Sequence, residues 1–174
     1  MSRDNVRRMA ETAIALALVA VLHRVKFGGL WPQGGSITAG SMIPIFLIAL
    51  RWGPLWGVVT GMLAGGIVAW VEPFFVHPVQ IVLDYPVAFG VLGLAGLFPR
   101  QPVVGVVIAG TLRFVCHFLS GIVFFTSSAR DAGLAPWVFS LFYNGGYMLP
   151  EIIISAILSM LLIRSLQRLS PAMR

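Results

Sequence analysis

Long apolar stretches separated by short turns run through almost the whole sequence, and they constrain the fold more than any other feature. From about residue 9 to residue 163 such stretches follow one another, and most are long enough to cross a bilayer as helices. Hydrophobic residues make up 58% of the chain and charged residues 10%, which is more apolar surface than a soluble domain can bury. We therefore predict an all-α integral membrane protein without a soluble catalytic or nucleotide-binding domain.

Turn-forming residues divide the apolar stretches into six expected transmembrane helices, which form one bundle over residues 1–174. Breaks such as Trp52-Gly53-Pro54 and Pro99-Arg100-Gln101-Pro102 contain the Gly and Pro residues that end helices. The second segment is short and contains Pro44, so we expect it to be tilted, broken or covered by protein. The expected spans cover about residues 9–25, 38–50, 55–71, 78–98, 102–126 and 136–163.

The Lys and Arg residues in the connecting segments predict which side of the membrane each terminus faces. With six spans, eight of these residues lie on the side of both termini and three on the other side. Because cytoplasmic loops are enriched in Lys and Arg, we expect both termini in the cytoplasm. This bias also accounts for the net charge of +6, so no nucleic-acid partner is expected. The eight are Arg3, Arg7, Arg8, Arg51, Arg100, Arg164, Arg168 and Arg174, and the three are Arg24, Lys26 and Arg130.

Three polar residues, Asp84, His117 and Asn144, interrupt three different apolar segments. At the rise of a helix they lie about 9, 13 and 12 Å below the outer ends of their spans. A bilayer strongly disfavours ionisable groups, so those that occur inside it are candidates for function. Their common depth predicts a binding site for a small polar molecule that opens to the outside.

Each of these polar residues also has a simpler interpretation. His117 taken alone is as well explained as a core histidine with its hydrogen bonds satisfied. Arg113, one helical turn before His117, could be a structural partner of Asp84, and Glu151 is left unassigned. Aromatic residues near the outer halves of spans five and six would suit a flat cationic ligand beside a carboxylate, although most are better explained as packing or lipid-facing. They are Phe124, Phe125, Phe139, Phe142 and Tyr143.

Two stripes of small residues predict close helix contacts. Gly53, Gly57, Gly61 and Gly65 recur every four residues, which favours packing between helices of the same chain. Span one carries Ala10, Ala13, Ala17 and Ala20. This stripe either packs internally or docks another membrane protein, and the sequence leaves both interpretations open.

The sequence contains no pattern typical of a catalytic, metal or nucleotide site. Gly-x-Ser-x-Gly, His-Glu-x-x-His and Walker-type motifs are all missing, and Ser120 merely sits between Leu119 and Gly121. We therefore expect neither an enzyme nor a metal site. The first outer loop is rich in glycine and contains Trp31. That loop is suited to closing over a ligand, although Trp31 alone is equally explained as an interfacial anchor.

Several segments together resemble one family, the thiamine-specific substrate-binding subunits (S components, ThiT family) of energy-coupling-factor (ECF) vitamin transporters. The resemblance covers essentially the whole chain. The segments that carry it are Trp31-Pro-Gln-Gly-Gly-Ser36, Ile43-Pro-Ile, Ala49-Leu-Arg-Trp-Gly53, Leu83-Asp-Tyr-Pro-Val-Ala-Phe89, Gly93-Leu-Ala-Gly-Leu97, His117-Phe-Leu-Ser-Gly-Ile-Val-Phe124 and Asn144-Gly145.

The resemblance implies a six-helix membrane bundle with a thiamine pocket near the outer face, in the cell membrane of a prokaryote. Family members have Glu, Trp and Tyr at some positions where this chain has Asp84, Phe125 and Phe139. The implied thiamine-binding residues are Trp31, Asp84, Tyr85, His117, Gly121, Phe125, Phe139 and Asn144.

The resemblance further implies partners that supply the energy for transport. These are a transmembrane coupling subunit, which docks on Ala13 and Ala17, and two cytosolic ATPases. ATP is then used only by the partners, and the chain itself needs no cofactor.

Two groups of alternative functions remain. One is an S component for another vitamin or precursor, such as riboflavin or hydroxymethylpyrimidine. The other is an autonomous carrier or an intramembrane enzyme.

Overall fold

A computed structural model describes residues 2–27 and 35–169, and the chain in it is mostly helical. Two short strands, β1 (Lys26–Phe27) and β2 (Ile37–Thr38), pair antiparallel. The helices are α1 (Arg3–Arg24), α2 (Ile43–Trp52), α3 (Pro54–Val71), α4 (Pro78–Leu97), α5 (Pro102–Phe124), α6 (Thr126–Asp131) and α7 (Pro136–Leu169).

Helix length and hydropathy agree with a multi-pass membrane protein. Four helices of the described chain are long and apolar enough to cross a bilayer: α3, α4, α5 and the Pro136–Ile163 part of α7. The α2 helix is apolar but only 10 residues long. The all-α class is therefore confirmed. That the chain crosses the membrane six times, and that both termini face the cytoplasm, remain predictions.

The second expected span begins later than the sequence pattern indicated. Its helix starts at Ile43 instead of near Thr38, because Thr38 pairs with Lys26 in the hairpin. Gly40 then takes a φ of 91°, which ends any regular structure there. Ile45, Phe46 and Ala49 of α2 are completely buried. This short helix is therefore covered by protein, which was one of the three expected alternatives.

Glycines of α3 set the distance between α3 and α4. A Cβ atom added at Gly57, Gly61 or Gly65 would collide with the backbone of Gly93, Phe89 or Tyr85, respectively. The two helices therefore touch backbone to backbone, and the prediction of packing within the chain is confirmed for these three positions. Gly53 lies instead in the turn between α2 and α3, with a φ of 91°.

Substitution of Gly65 tests this contact, and the adjacent Gly66 provides a matched control. Gly65→Ala should lower the free energy of unfolding by about 1–3 kcal/mol because the new methyl group overpacks the contact with Tyr85. Gly66→Ala should be neutral or slightly stabilising, since nothing lies within 4 Å of its added Cβ. Thermal unfolding in detergent measures both. Equal melting temperatures for the two variants would contradict the packing described here.

Candidate ligand-binding site

A cavity of about 270 Å³ lies among α4, α5, α7 and the hairpin. Seven of the eight predicted ligand-binding residues line it, and the eighth, Trp31, lies outside the described residues. The structure therefore brings side chains from separate parts of the sequence to one place. The seven are Asp84, Tyr85, His117, Gly121, Phe125, Phe139 and Asn144.

Asp84 and Tyr85 lie where α4 departs from regular α-helical geometry. Residues Leu83–Val87 form a π-helical turn that contains Pro86. Proline lacks an N–H group and disturbs the preceding turn of a helix, and single π turns occur frequently at functional sites. The Tyr85 hydroxyl donates to the Glu72 carbonyl oxygen at 3.1 Å and accepts from the Phe74 N–H at 3.0 Å. This pair of bonds ties the π turn to the connection between α3 and α4.

The Asp84 carboxylate receives three hydrogen bonds. His117 Nδ1 lies 2.9 Å from Oδ1. Ser120 Oγ and Gln80 Nε2 both donate to Oδ2, each at 2.8 Å. Hydrogen bonds to a carboxylate are charge-assisted and stronger than those between neutral groups, so these three donors hold the Asp84 side chain firmly in place.

The tautomer of His117 follows from its two partners. Arg113 Nε donates to His117 Nε2 at 3.3 Å, so Nε2 is an acceptor and the ring proton sits on Nδ1, facing Asp84. Arg113 also lies over the Phe89 ring, 3.9 Å from its centroid. Arg113 thus donates to His117, and no salt bridge within the described residues joins Arg113 to Asp84 or Glu151.

Asn144 completes the predicted polar trio by linking α7 to α5. Its Nδ2 atom donates to the carbonyl oxygens of His117, at 3.2 Å, and Ser140, at 3.0 Å. Tyr147 Oη donates to Asn144 Oδ1 at 2.7 Å. A Cβ atom at Gly121 would collide with the Ser140 side chain. Glycine at this position therefore permits the close approach of the two helices.

Aromatic rings form part of the cavity wall. Phe125 stacks on Phe74 with the ring centroids 6.0 Å apart. Phe139 stacks on Tyr143 at 5.6 Å. Since Phe125 and Phe139 are each held by a second ring, their orientation is set before any ligand binds.

Sequence reasoning missed the residues that tie the hairpin to the cavity. Glu72 binds Lys26 of β1 and Arg24, the latter at 3.0 Å. Desolvation acts to raise the pKa of the Glu72 carboxyl, but the hydrogen bond and charge of Lys26, with His23 and Arg24, hold this pKa below its usual value. The signal for Glu72 in the sequence was its position directly after the third expected span.

Two side chains of α7 hold the other half of the hairpin. The Glu151 carboxylate, left unassigned from the sequence, accepts the backbone N–H of Thr38, and the Tyr143 hydroxyl accepts the N–H of Gly35 at 3.2 Å. Glu151 is 4% exposed. Glu72 and Glu151 thus anchor the two strands while both also line the cavity.

The charges around the cavity favour a cation. Three carboxylates line it, from Glu72, Asp84 and Glu151, against the two permanent cations Lys26 and Arg113. Glu72 is already paired with Lys26 and Arg24, whereas no salt bridge of the described residues joins Asp84 to a Lys or Arg side chain. A carboxylate without a Lys or Arg partner attracts a cationic ligand more than an anion.

Comparison with known proteins places the chain in a family. Residues 9–171 match the family described as "Thiamine transporter protein (Thia_YuaJ)". The thiamine transporter ThiT of Bacillus subtilis is 41% identical over 93% of both chains. ThiT of Lacticaseibacillus paracasei is 29% identical over 77% of this chain and 73% of its own.

A solved structure supports the same fold. ThiT from Listeria monocytogenes superposes with a TM-score of 0.81, at 24% identity, over 98% of each chain. The named relatives are bacterial transporters, which confirms the expectations of a transport protein that is not an enzyme and of a multi-pass protein of a prokaryotic plasma membrane. The chain belongs to the thiamine transporter (Thia_YuaJ) family.

Proposed function

We propose that the protein is the thiamine-binding membrane subunit of an ATP-driven ECF vitamin importer, and that it captures thiamine from the outer face. The observation that carries this proposal is the Asp84 carboxylate, which lines the cavity, is held by three donors and has no Lys or Arg partner among the described salt bridges. The relatives named as thiamine transporters support thiamine as the ligand. Thiamine has a permanent thiazolium charge and a flat aminopyrimidine ring, and both features suit this cavity.

Each part of thiamine has a partner in the proposed complex. Asp84 offsets the thiazolium charge across a short distance in surroundings of low dielectric constant. His117 and Asn144 form hydrogen bonds with the polar edge of the aminopyrimidine ring. The rings of Tyr85, Phe125 and Phe139 supply apolar faces, on which flat and cationic groups bind well. Trp31, which lies outside the described residues, remains a ligand contact proposed from the sequence alone.

The proposed topology has six spans, with both termini in the cytoplasm and the cavity toward the outside. The distribution of Lys and Arg supports this orientation. In it, Glu72 and Lys26 lie near the outer rim of the cavity, and ligand enters from outside the cell.

Transport requires partners in this proposal: a transmembrane coupling subunit and two cytosolic ATPases. The exposed face of α1 supports docking, because Ala13 and Ala17 are exposed whereas Thr12, Ala15 and Val19 on the other face are buried. Small exposed residues allow the backbone of a second helix to approach closely. ATP is hydrolysed by the partners alone, and this subunit uses no cofactor.

Removing the charge of Asp84 tests the ligand assignment. Asp84→Asn should weaken thiamine binding at least about 30-fold, because a loss of about 2 kcal/mol is typical when one member of a buried charge pair is truncated. The matched control is Asp131→Asn, which neutralises an exposed acid at the end of α6 and should bind as wild type does. Calorimetry on the detergent-solubilised protein measures both. Wild-type affinity in Asp84→Asn would contradict the role of this carboxylate, and tighter binding of riboflavin or hydroxymethylpyrimidine than of thiamine would favour another vitamin or precursor.

A large side chain on α1 tests the docking face separately from binding. Ala13→Trp or Ala17→Trp should leave thiamine affinity unchanged and reduce ATP-driven uptake at least about tenfold, since the indole ring keeps the two helices apart. Leu119→Trp, at an exposed position of α5, is the control and should transport normally.

Uptake by reconstituted vesicles is the measurement for these variants. Normal uptake by both alanine variants in an assembled complex would show that the coupling subunit docks elsewhere. Uptake by this chain without any ATPase would instead identify an autonomous carrier.

A further inference from the structure

We propose that Gln80 and Ser120 are positioning residues that orient the Asp84 carboxylate toward a cationic ligand. This inference rests on the proposed function, because it concerns how the same cavity recognises the charge of thiamine. Neither residue is among those predicted to touch the ligand. Both act through Asp84.

The first argument is the distribution of donors over the two carboxylate oxygens. Gln80 and Ser120 both bind Oδ2, whereas His117 binds Oδ1. A carboxylate has about four acceptor positions, two on each oxygen. The two donors therefore saturate Oδ2, and the one position that these bonds leave open lies on Oδ1, beside His117.

The second argument is that the Gln80 amide cannot reverse its orientation without losing a bond. Its Oε1 atom accepts the backbone N–H of Val76 at 3.1 Å, so its Nε2 atom must face Asp84. Gln80 lies one helical turn before Asp84 and is 1% exposed, so its amide is shielded from bulk water. Ser120 is equally buried. Two buried donors that point to the same oxygen hold that oxygen in place.

The third argument is competition within the cavity. Arg113 donates to His117, and His117 in turn bonds to Asp84, so a single side chain separates the guanidinium from the carboxylate. A carboxylate that rotates freely about its terminal bond can turn toward this guanidinium, and a carboxylate paired with Arg113 attracts a cationic ligand less. By fixing Oδ2, Gln80 and Ser120 keep the charge available, which reduces the reorganisation needed on binding.

The test uses Ser120→Ala and Gln80→Met, which each remove the donor and keep most of the volume. Each variant should weaken thiamine binding about tenfold, measured by calorimetry on the full-length protein in detergent. Ser159→Ala is the matched control, since Ser159 is as buried as Ser120 and its hydroxyl has no hydrogen-bond partner within the described residues. It should bind thiamine with wild-type affinity.

The same substitutions in an Asp84→Asn background separate positioning from a structural role. If Gln80 and Ser120 act through the Asp84 charge, neither substitution should change the affinity of Asp84→Asn by more than about twofold. A further tenfold loss in that background would overturn the inference, as would wild-type affinity of either single variant. A variant that no longer purifies as a monodisperse protein would show that its residue serves the fold, and would overturn the positioning role for that residue.

The proposed function fails in a distinguishable way. Wild-type protein that does not bind thiamine would contradict the function and the inference together. Tight binding by wild type with unchanged affinity in Ser120→Ala and Gln80→Met would contradict the inference alone.

Discussion

The rest of the site depends on the hydrogen bonds that hold the carboxylate of Asp84 within a membrane-spanning helix. An unpaired charge in such a place is disfavoured by several kcal/mol, so the fold must supply partners. They come from α4 itself, through Gln80, and from α5, through His117 and Ser120. The hydrogen bonds that make the charge tolerable are therefore also the ones that determine what the cavity attracts.

Helix packing fixes where this carboxylate lies. Gly65 of α3 touches the π turn that carries Asp84, at Tyr85, and Gly61 touches the backbone of α4 at Phe89, just after that turn. Gly121 of α5 lets the Ser140 side chain of α7 approach closely, and Asn144 of α7 donates to His117 from this position. Small residues thus set the spacing of α3 with α4 and of α5 with α7, and the polar groups of α4, α5 and α7 meet at the cavity. Glu72 and Glu151 hold the hairpin beside the same cavity.

Much of the site was predictable because polar residues are rare in this chain and helical rise is regular. Depth alone predicted that Asp84, His117 and Asn144 would meet, and they do. Depth gave no information about Ser120, which looked like an ordinary small residue between apolar neighbours. The start of α2 was misplaced because strand pairing at Thr38 depends on a partner distant in sequence. The π turn was also not predicted, since proline in a helix has several structural outcomes.

The most direct test of the account is a calorimetric titration of the purified wild-type protein with thiamine and, separately, with hydroxymethylpyrimidine, which lacks the thiazolium charge. A cavity organised around Asp84 predicts saturable binding of thiamine and binding of the neutral pyrimidine that is weaker by at least about tenfold. Equal affinity for the two ligands would contradict the account, because the carboxylate would then contribute nothing to recognition. Failure of thiamine to bind at all would show that the cavity serves another molecule.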